Sequence, residues 1–297
     1  MPWGEPEERS KDGIASTLGT ILAALYLAGL ERPAFAHSKR WPDVCAALRR
    51  QNAELSNCVS ILGAHGFWEE ALILSHPGLL RRGEALLESG RVLTAACDLF
   101  PLGWRRLGRA APPAVWISDP LPSGIGVGIV GSRKPPMSSL RFSREVSAEA
   151  VRLGMVVVSG GAPGCDAEAA RGASGRLVEI LPCGIQTRWG VGSGVRLSVR
   201  PPGEAFTTAA AMERNTLLYA YGECSVVCHA RFKTGGAWIG ASEALRRRLG
   251  RLLVWADEAS LASRALIALG GMPLKSPVDL ERTIKEGHPS QRGLFPS

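Results

Sequence analysis

Few of the usual signatures of chemistry occur in this sequence. No Gly-x-Gly-x-x-Gly run falls in the strand-to-helix context that a dinucleotide site requires. The phosphate-loop pattern of nucleoside triphosphatases is also missing. There is no Gly-x-Ser-x-Gly elbow, and the five histidines have no Ser or Cys partner by motif. No pair of carboxylates stands in a motif that supports acid–base work. The absences favour binding over catalysis, with no cofactor expected.

Acidic charge is short as well. Asp and Glu total 27 against 35 Lys and Arg, a net charge of +8. That excess favours acidic partners: nucleic acid, nucleotides or anionic membrane. Charged residues are only 21% of the chain, too few for disorder, while 45% hydrophobic residues suffice for a core. A length of 297 residues accommodates one large domain and a small one. The seven cysteines are odd in number and irregularly spaced, which excludes a framework of paired bridges and implies a reducing cytoplasm. Cys224, Cys228 and His229 lie close together, but in an apolar run with no second ligand pair. A buried strand with Cys224 and Cys228 on one face is preferred to a metal site.

Long uncharged runs are equally scarce. The stretch from Gly13 to Leu30 is near the minimum length that spans a bilayer. It is diluted by Gly13, Ser16, Thr17, Gly19 and Thr20, and it follows Glu5, Glu7 and Glu8 rather than a signal peptide's basic start. It reads as a buried helix of a small N-terminal helical domain, so no membrane partner is expected.

What is present divides the chain. Region 1–99 reads as helical, with Leu18, Ile21, Leu22 and Leu25 at helix spacing and further helices over Val44–Arg50, Trp68–Leu74 and Leu79–Leu87. Region 100–123, rich in Pro and Arg, reads as a linker wrapping onto the core. From 124 to 280, apolar runs alternate with amphipathic stretches. The predicted strands are Ile125–Val130, Met155–Ser159, Leu177–Leu181, Ser225–His229 and Leu252–Trp255. The predicted helices are Ser139–Leu153, Asp166–Ala173, Ala209–Ala220, Gly236–Leu249 and Ala259–Leu269. This alternation predicts an α/β fold: a Rossmann-like, doubly wound, mostly parallel sheet covered on both faces. Region 281–297 is a short tail.

Ligands of such sheets bind beyond the carboxyl ends of the strands. Three glycine-bearing loops fall there. The first is Gly131-Ser132-Arg133, offering close backbone approach, a hydroxyl donor and a forked cation suited to phosphate. The second runs from Ser159 through Gly160, Gly161 and Gly164 to Asp166, which alternatively caps its helix. The helix after the first loop, beginning near Ser138 or Ser139, presents unpaired amides and its positive dipole end, and the third loop, Lys233-Thr234-Gly235-Gly236, again leads into a helix. One such loop is usually only a turn; three in one sheet predict an anion site.

The motifs Gly128-Ile-Val-Gly-Ser-Arg-Lys134, Val157-Val-Ser-Gly-Gly-Ala-Pro-Gly-Cys-Asp-Ala167 and Glu213-Arg214-Asn215 resemble those of the DNA-processing protein A family, also called Smf. Phe100-Pro101, Leu107, Pro112-Pro113, Pro201-Pro202-Gly203 and Lys233-Thr-Gly-Gly-Ala237 agree in order and spacing. The resemblance implies an extended Rossmann fold and a non-enzymatic protein that binds single-stranded DNA. It also implies delivery of that DNA to a RecA-type recombinase, a role in natural transformation, and homodimers. The DNA contacts it implies are Gly131, Ser132, Arg133, Gly160, Gly164, Arg214 and Asn215. Arg214 and Asn215 equally fit a buried pair that pins the sheet to its helix.

The chain departs from the family pattern at Pro163, Ala170, Ala211, Thr216 and Val199. Arg141, Arg171, Arg188, Arg231 and Arg246 to Arg248 are candidates to replace the lost basic surface. The tail is too short for the winged-helix domain that many members carry. A competing resemblance is to lysine-decarboxylase-like phosphoribohydrolases, through Gly235-Gly236 and Glu243, but the spacing is off by one residue. A nucleotide-binding sensor without turnover is the third reading.

Overall fold

The computed structural model describes residues 13–30, 33–34, 41–50, 55–107, 110–190 and 194–286. Glu5, Glu7 and Glu8, and residues 287–297 of the tail, lie outside them. The chain divides into two compact units at Pro120 and Leu121.

The first unit contains α1 (Gly13–Leu27), α2 (Trp41–Arg50), α3 (Cys58–Ala64), α4 (Trp68–Leu74) and α5 (Leu79–Glu88). These are followed by β1 (Val92–Thr94), α6 (Leu102–Arg105) and β2 (Ala114–Ile117). Leu18, Ile21, Leu22 and Leu25 of α1 are buried, as their spacing predicts. Gly83 of α5 lets the two helices meet backbone to backbone, because a Cβ there would lie 2.7 Å from the Thr20 carbonyl oxygen. Among the described residues, no helix is long and apolar enough to cross a membrane. Strands β1 and β2 form an antiparallel ribbon pairing Val92 with Trp116. Neither strand stands out in the sequence: β1 is three residues long, and β2 lies within 100–123 just after Pro112 and Pro113.

Among its described residues, the second unit holds seven parallel strands in the order β6-β5-β4-β3-β7-β8-β9. They are β3 (Gly126–Gly131), β4 (Val156–Ser159), β5 (Leu177–Ile180), β6 (Val195–Ser198), β7 (Cys224–His229), β8 (Arg251–Trp255) and β9 (Met272–Leu274). The helices are α7 (Met137–Arg152), α8 (Cys165–Gly172), α9 (Thr208–Ala220), α10 (Gly235–Arg247), α11 (Leu261–Ala268) and α12 (Leu280–Glu286). The chain winds outward from β3 to β6, then returns through α9 to β7 and winds the other way. Right-handed crossovers in opposite directions put their helices on opposite faces. This is the doubly wound, Rossmann-like α/β architecture.

All five predicted strands and all five predicted helices of this unit form, with ends within two residues of expectation. Two strands escape the pattern. β6 carries Arg196 among only four residues, and β9 contains Pro273. Proline donates no ladder hydrogen bond and so belongs at an edge, where β9 lies.

The core follows from alternation along the strands. Val127 and Ile129 of β3, and Cys224, Val226 and Cys228 of β7, face Phe142, Val146, Ala150 and Ala169 of α7 and α8. Both cysteines therefore share one apolar face, as expected of a buried strand. Burial raises their thiols, pushing each up to about 12. No cluster of metal-ligating groups occurs among the described residues. On the opposite face, Gly126 leaves room for Tyr221 at the end of α9, and Gly128 for the Ser225 side chain of β7. The Gly-x-Gly-x-x-Gly spelled by Gly126, Gly128 and Gly131 thus lies inside a strand, where it admits the side chains of Tyr221, Ser225 and Cys165.

Small residues also set the approach of α7 to α8. Ser143 Oγ donates to the Cys165 carbonyl at 2.7 Å and Ser147 Oγ to that of Ala169 at 2.6 Å. A Cβ on Gly172 would collide with the Arg144 carbonyl and come within 2.8 Å of Ser147 Cβ. Gly172→Ala should therefore destabilise this unit by about 1–3 kcal/mol, the usual cost of overpacking, despite alanine's better helix propensity. Urea unfolding checks this: a midpoint at or above wild type would mean the two helices tolerate separation.

Candidate nucleic-acid interface

The order of the strands reverses between β3 and β7, and a doubly wound sheet opens a crevice at that point. The ladder supports it. Pairing of β3 with β7 shifts register between Val130 and Gly131, so Gly131 lies opposite His229. A bulge of this kind bends the strand and re-aims the residues after it. Ser132 N–H then donates to the His229 carbonyl at 3.1 Å, holding the first glycine loop against the start of the third.

A cleft of about 570 Å³ opens there. Gly131, Ser132, Arg133 and Lys134 line it from β3, Ala162 and Asp166 from the β4 loop, and Arg231, Thr234 and Gly235 from the β7 loop. Helix α9 closes the remaining side with Ala211, Met212, Arg214 and Asn215. Of the lining residues, Arg133, Lys134, Arg214 and Arg231 are opposed by a single carboxylate, Asp166.

The floor is a buried charge pair. Asp166 and Arg214 are each 5% exposed. Arg214 Nη1 donates to the Ile180 carbonyl at 3.0 Å, tying α9 to the end of β5. Asp166 accepts from the Ala162 amide at 3.4 Å, and the nearby amides of Gly131 and Gly160 favour its charged form. One carboxylate thus holds the first loop and the second together, while its charge answers Arg214. Gly160 separates the two side chains, since a Cβ there would overlap the Arg214 guanidinium and lie 2.8 Å from Asp166 Oδ2. Of the two sequence readings of Arg214, the pin describes its contacts, although its side chain also reaches the cleft.

The other predicted residues divide. Gly131, Ser132, Arg133, Arg214, Asn215, Thr234 and Gly235 converge on the cleft; Gly160, Gly161, Gly164 and Lys233 do not line it. Gly164 has φ +86°, and a Cβ would strike the Ser132 carbonyl and come within 2.6 Å of that of Arg133. Its role is to let the second loop pack on the first. Gly161, at φ +64°, lies against Glu179 and Trp189. Lys233 adopts φ +56° and holds its Nζ 5.3 Å from the Phe232 ring.

Arg231 is the one of the proposed replacement cations that reaches the cleft. Its guanidinium approaches within 3.4 Å of where a Cβ on Gly235 would be, directly over the N-terminus of the 13-residue α10. Arg171 is instead tied to Glu168, and Arg246 and Arg247 to Glu243. Glu243 does not line the cleft, and its hydrogen bond to Arg246 holds its carboxyl below the usual range. Sequence reasoning missed Phe206, Thr208 and Met212 in the wall, because nothing in their spacing marks them.

Burial pushes the Asp166 carboxyl up to about 6, against the pull of Arg214 and the three amides. A carboxyl raised from 3.8 binds its proton more tightly in the folded state. Its contribution to stability is therefore greatest below pH 4 and is lost as pH rises through about 6. The size is on the order of 3 kcal/mol. Urea midpoints measured from pH 4 to 7 should fall with this slope in the wild type and flatten in Asp166→Asn. An unchanged slope would remove Asp166 as its source.

The family model described as DNA recombination-mediator protein A matches residues 91–279, well over half of the chain. No curated protein matches it. Among solved structures, DNA processing protein A (DprA) from Streptococcus pneumoniae is 16% identical, with a TM-score of 0.58 over 93% of this chain and 98% of that one. DNA processing protein A from Helicobacter pylori, described for its single-stranded DNA binding mode, is 21% identical, with a TM-score of 0.58 over 67% of this chain and 98% of that one. At these identities the likeness is one of fold. The family match, with the cleft motifs inside its bounds, establishes that the chain belongs to the DNA recombination-mediator protein A family.

Proposed function

We propose that the cleft binds single-stranded DNA, and that the protein processes DNA without a catalytic step of its own. One observation carries this reading: Arg133 and Lys134 from the end of β3, and Arg231 from the end of β7, converge on one cleft at the switch point of the sheet. Single-strand binders combine such cationic grooves with aromatic surfaces. The N-terminus of α10 adds unpaired amides and the positive end of its dipole beside Arg231. In this reading Ser132, Asn215 and Thr234 supply polar contacts, and Gly131 and Gly235 admit the strand to the backbone. Gly160, Gly161 and Gly164 shape the loops, and Lys233 adds charge beside them.

The H. pylori relative's single-stranded DNA binding supports the choice of ligand. The wider role proposed with it is delivery of the strand to a RecA-type recombinase during recombination or transformation, by a cytoplasmic homodimer.

Binding of labelled single-stranded DNA, duplex DNA and mononucleotides at several salt concentrations tests the reading. The single strand should bind most tightly, and equal affinity for duplex would sink the proposal. Arg133→Ala and Arg231→Ala should each weaken binding by about 1–3 kcal/mol. The loss should be alike across sequences, because phosphate contacts position rather than specify. Each should also reduce the salt slope by about 0.7. A stable variant with wild-type affinity and slope would remove its arginine from the interface.

A further inference from the structure

We propose that Phe206, backed by Trp189, is the platform on which the cleft stacks an unpaired nucleobase. This rests on the single-stranded DNA reading and adds what makes the site prefer unpaired bases. Phe206 and Trp189 are stacked with ring centroids 4.9 Å apart and planes 4° from parallel. Trp189 Nε1–H donates to the Gly160 carbonyl at 3.1 Å, which anchors the rear ring to the second glycine loop. Trp189 therefore covers one face of Phe206. Phe206 remains 39% exposed and lines the cleft, whereas Trp189 does not.

Arg133 stands beside this stack, its guanidinium carbon 5.8 Å from the Trp189 centroid and 5.9 Å from that of Phe206. A flat apolar surface and a phosphate-binding cation thus adjoin in one wall. Ala211 and Met212, also in the lining, bound the cleft beside it, and Met212 is 41% exposed. A ligand that satisfies both features has a planar aromatic group joined to an anion, which is the make-up of a nucleotide unit in an unpaired strand. A base within a duplex offers no free face, so the platform discriminates against duplex where the arginines alone do not. The ring pair is pre-stacked and tethered, so little side-chain freedom remains to be lost on binding.

The test compares a short oligothymidylate with an abasic oligodeoxyribose phosphate of the same length, by fluorescence anisotropy. Wild type should bind the thymidylate about 5- to 150-fold more tightly, the span expected for stacking of one base. Phe206→Ala should bring both oligomers to the abasic affinity, with the salt slope unchanged because the arginines remain. Phe206→Trp should keep the preference. Phe206→Leu, which retains an apolar contact with Trp189 but has no ring, should lose it in a folded protein, as a melting curve verifies. If folded Phe206→Leu and Phe206→Ala keep the preference, the platform is overturned and the DNA reading stands. If wild type binds neither oligomer, both fall.

Discussion

The carboxylate of Asp166 and the guanidinium of Arg214 are buried together beneath the loops, on either side of Gly160, and their opposite charges organise the floor of the cleft. Taking either charge out of water alone costs several kcal/mol. Together they answer groups from three segments: the amide of Gly131, those of Gly160 and Ala162 in the second loop, and the Ile180 carbonyl at the end of β5. The ends of β3, β4 and β5 and the flank of α9 are thereby held by one pair. The absence of a side chain at Gly160 is what permits it. The pair neutralises itself within the floor, so the exposed cations above it, Arg133, Lys134 and Arg231, determine the sign of the cleft.

Close approach is the second theme, and it is achieved with small residues rather than bulk. Gly164 allows the second loop onto the first, Gly126 brings the end of α9 down on the sheet, and Ser143, Ser147 and Gly172 bring α7 onto α8. Ser143 and Ser147 satisfy themselves on carbonyls of the neighbouring helix, so the close packing leaves their hydroxyls bonded. Many of the glycines that look like ligand contacts are in this sense architectural. They shape the cleft by letting protein meet protein. The surfaces left for a ligand are cations, helix-terminal amides and one aromatic face.

Much of this architecture was legible in the order of residues. Runs such as Val156–Ser159 and Cys224–His229 are continuous and apolar because both faces of their strands are covered, and that pattern survives without knowledge of neighbours. The chain-reversing order of β3 and β7 was not legible, since periodicity reports burial and not pairing. Short strands escaped for local reasons: Arg196 breaks the apolar run in β6, and Pro273 in β9 is tolerated only because that strand is an edge.

The sequence by itself determined the α/β class, the positions of the three glycine loops, the motifs of the family and the excess of positive charge. These are properties of residue type and spacing along the chain. Only the tertiary structure decided which basic residues share a surface. Arg231 reaches the cleft while Arg171, Arg246 and Arg247 are engaged by carboxylates on their own helices. It also decided that Trp189 and Phe206, 17 positions apart, stack beside Arg133. Convergence of that kind depends on how loops are held in space, here by the buried Asp166–Arg214 pair, and the spacing of residues along the chain does not encode it.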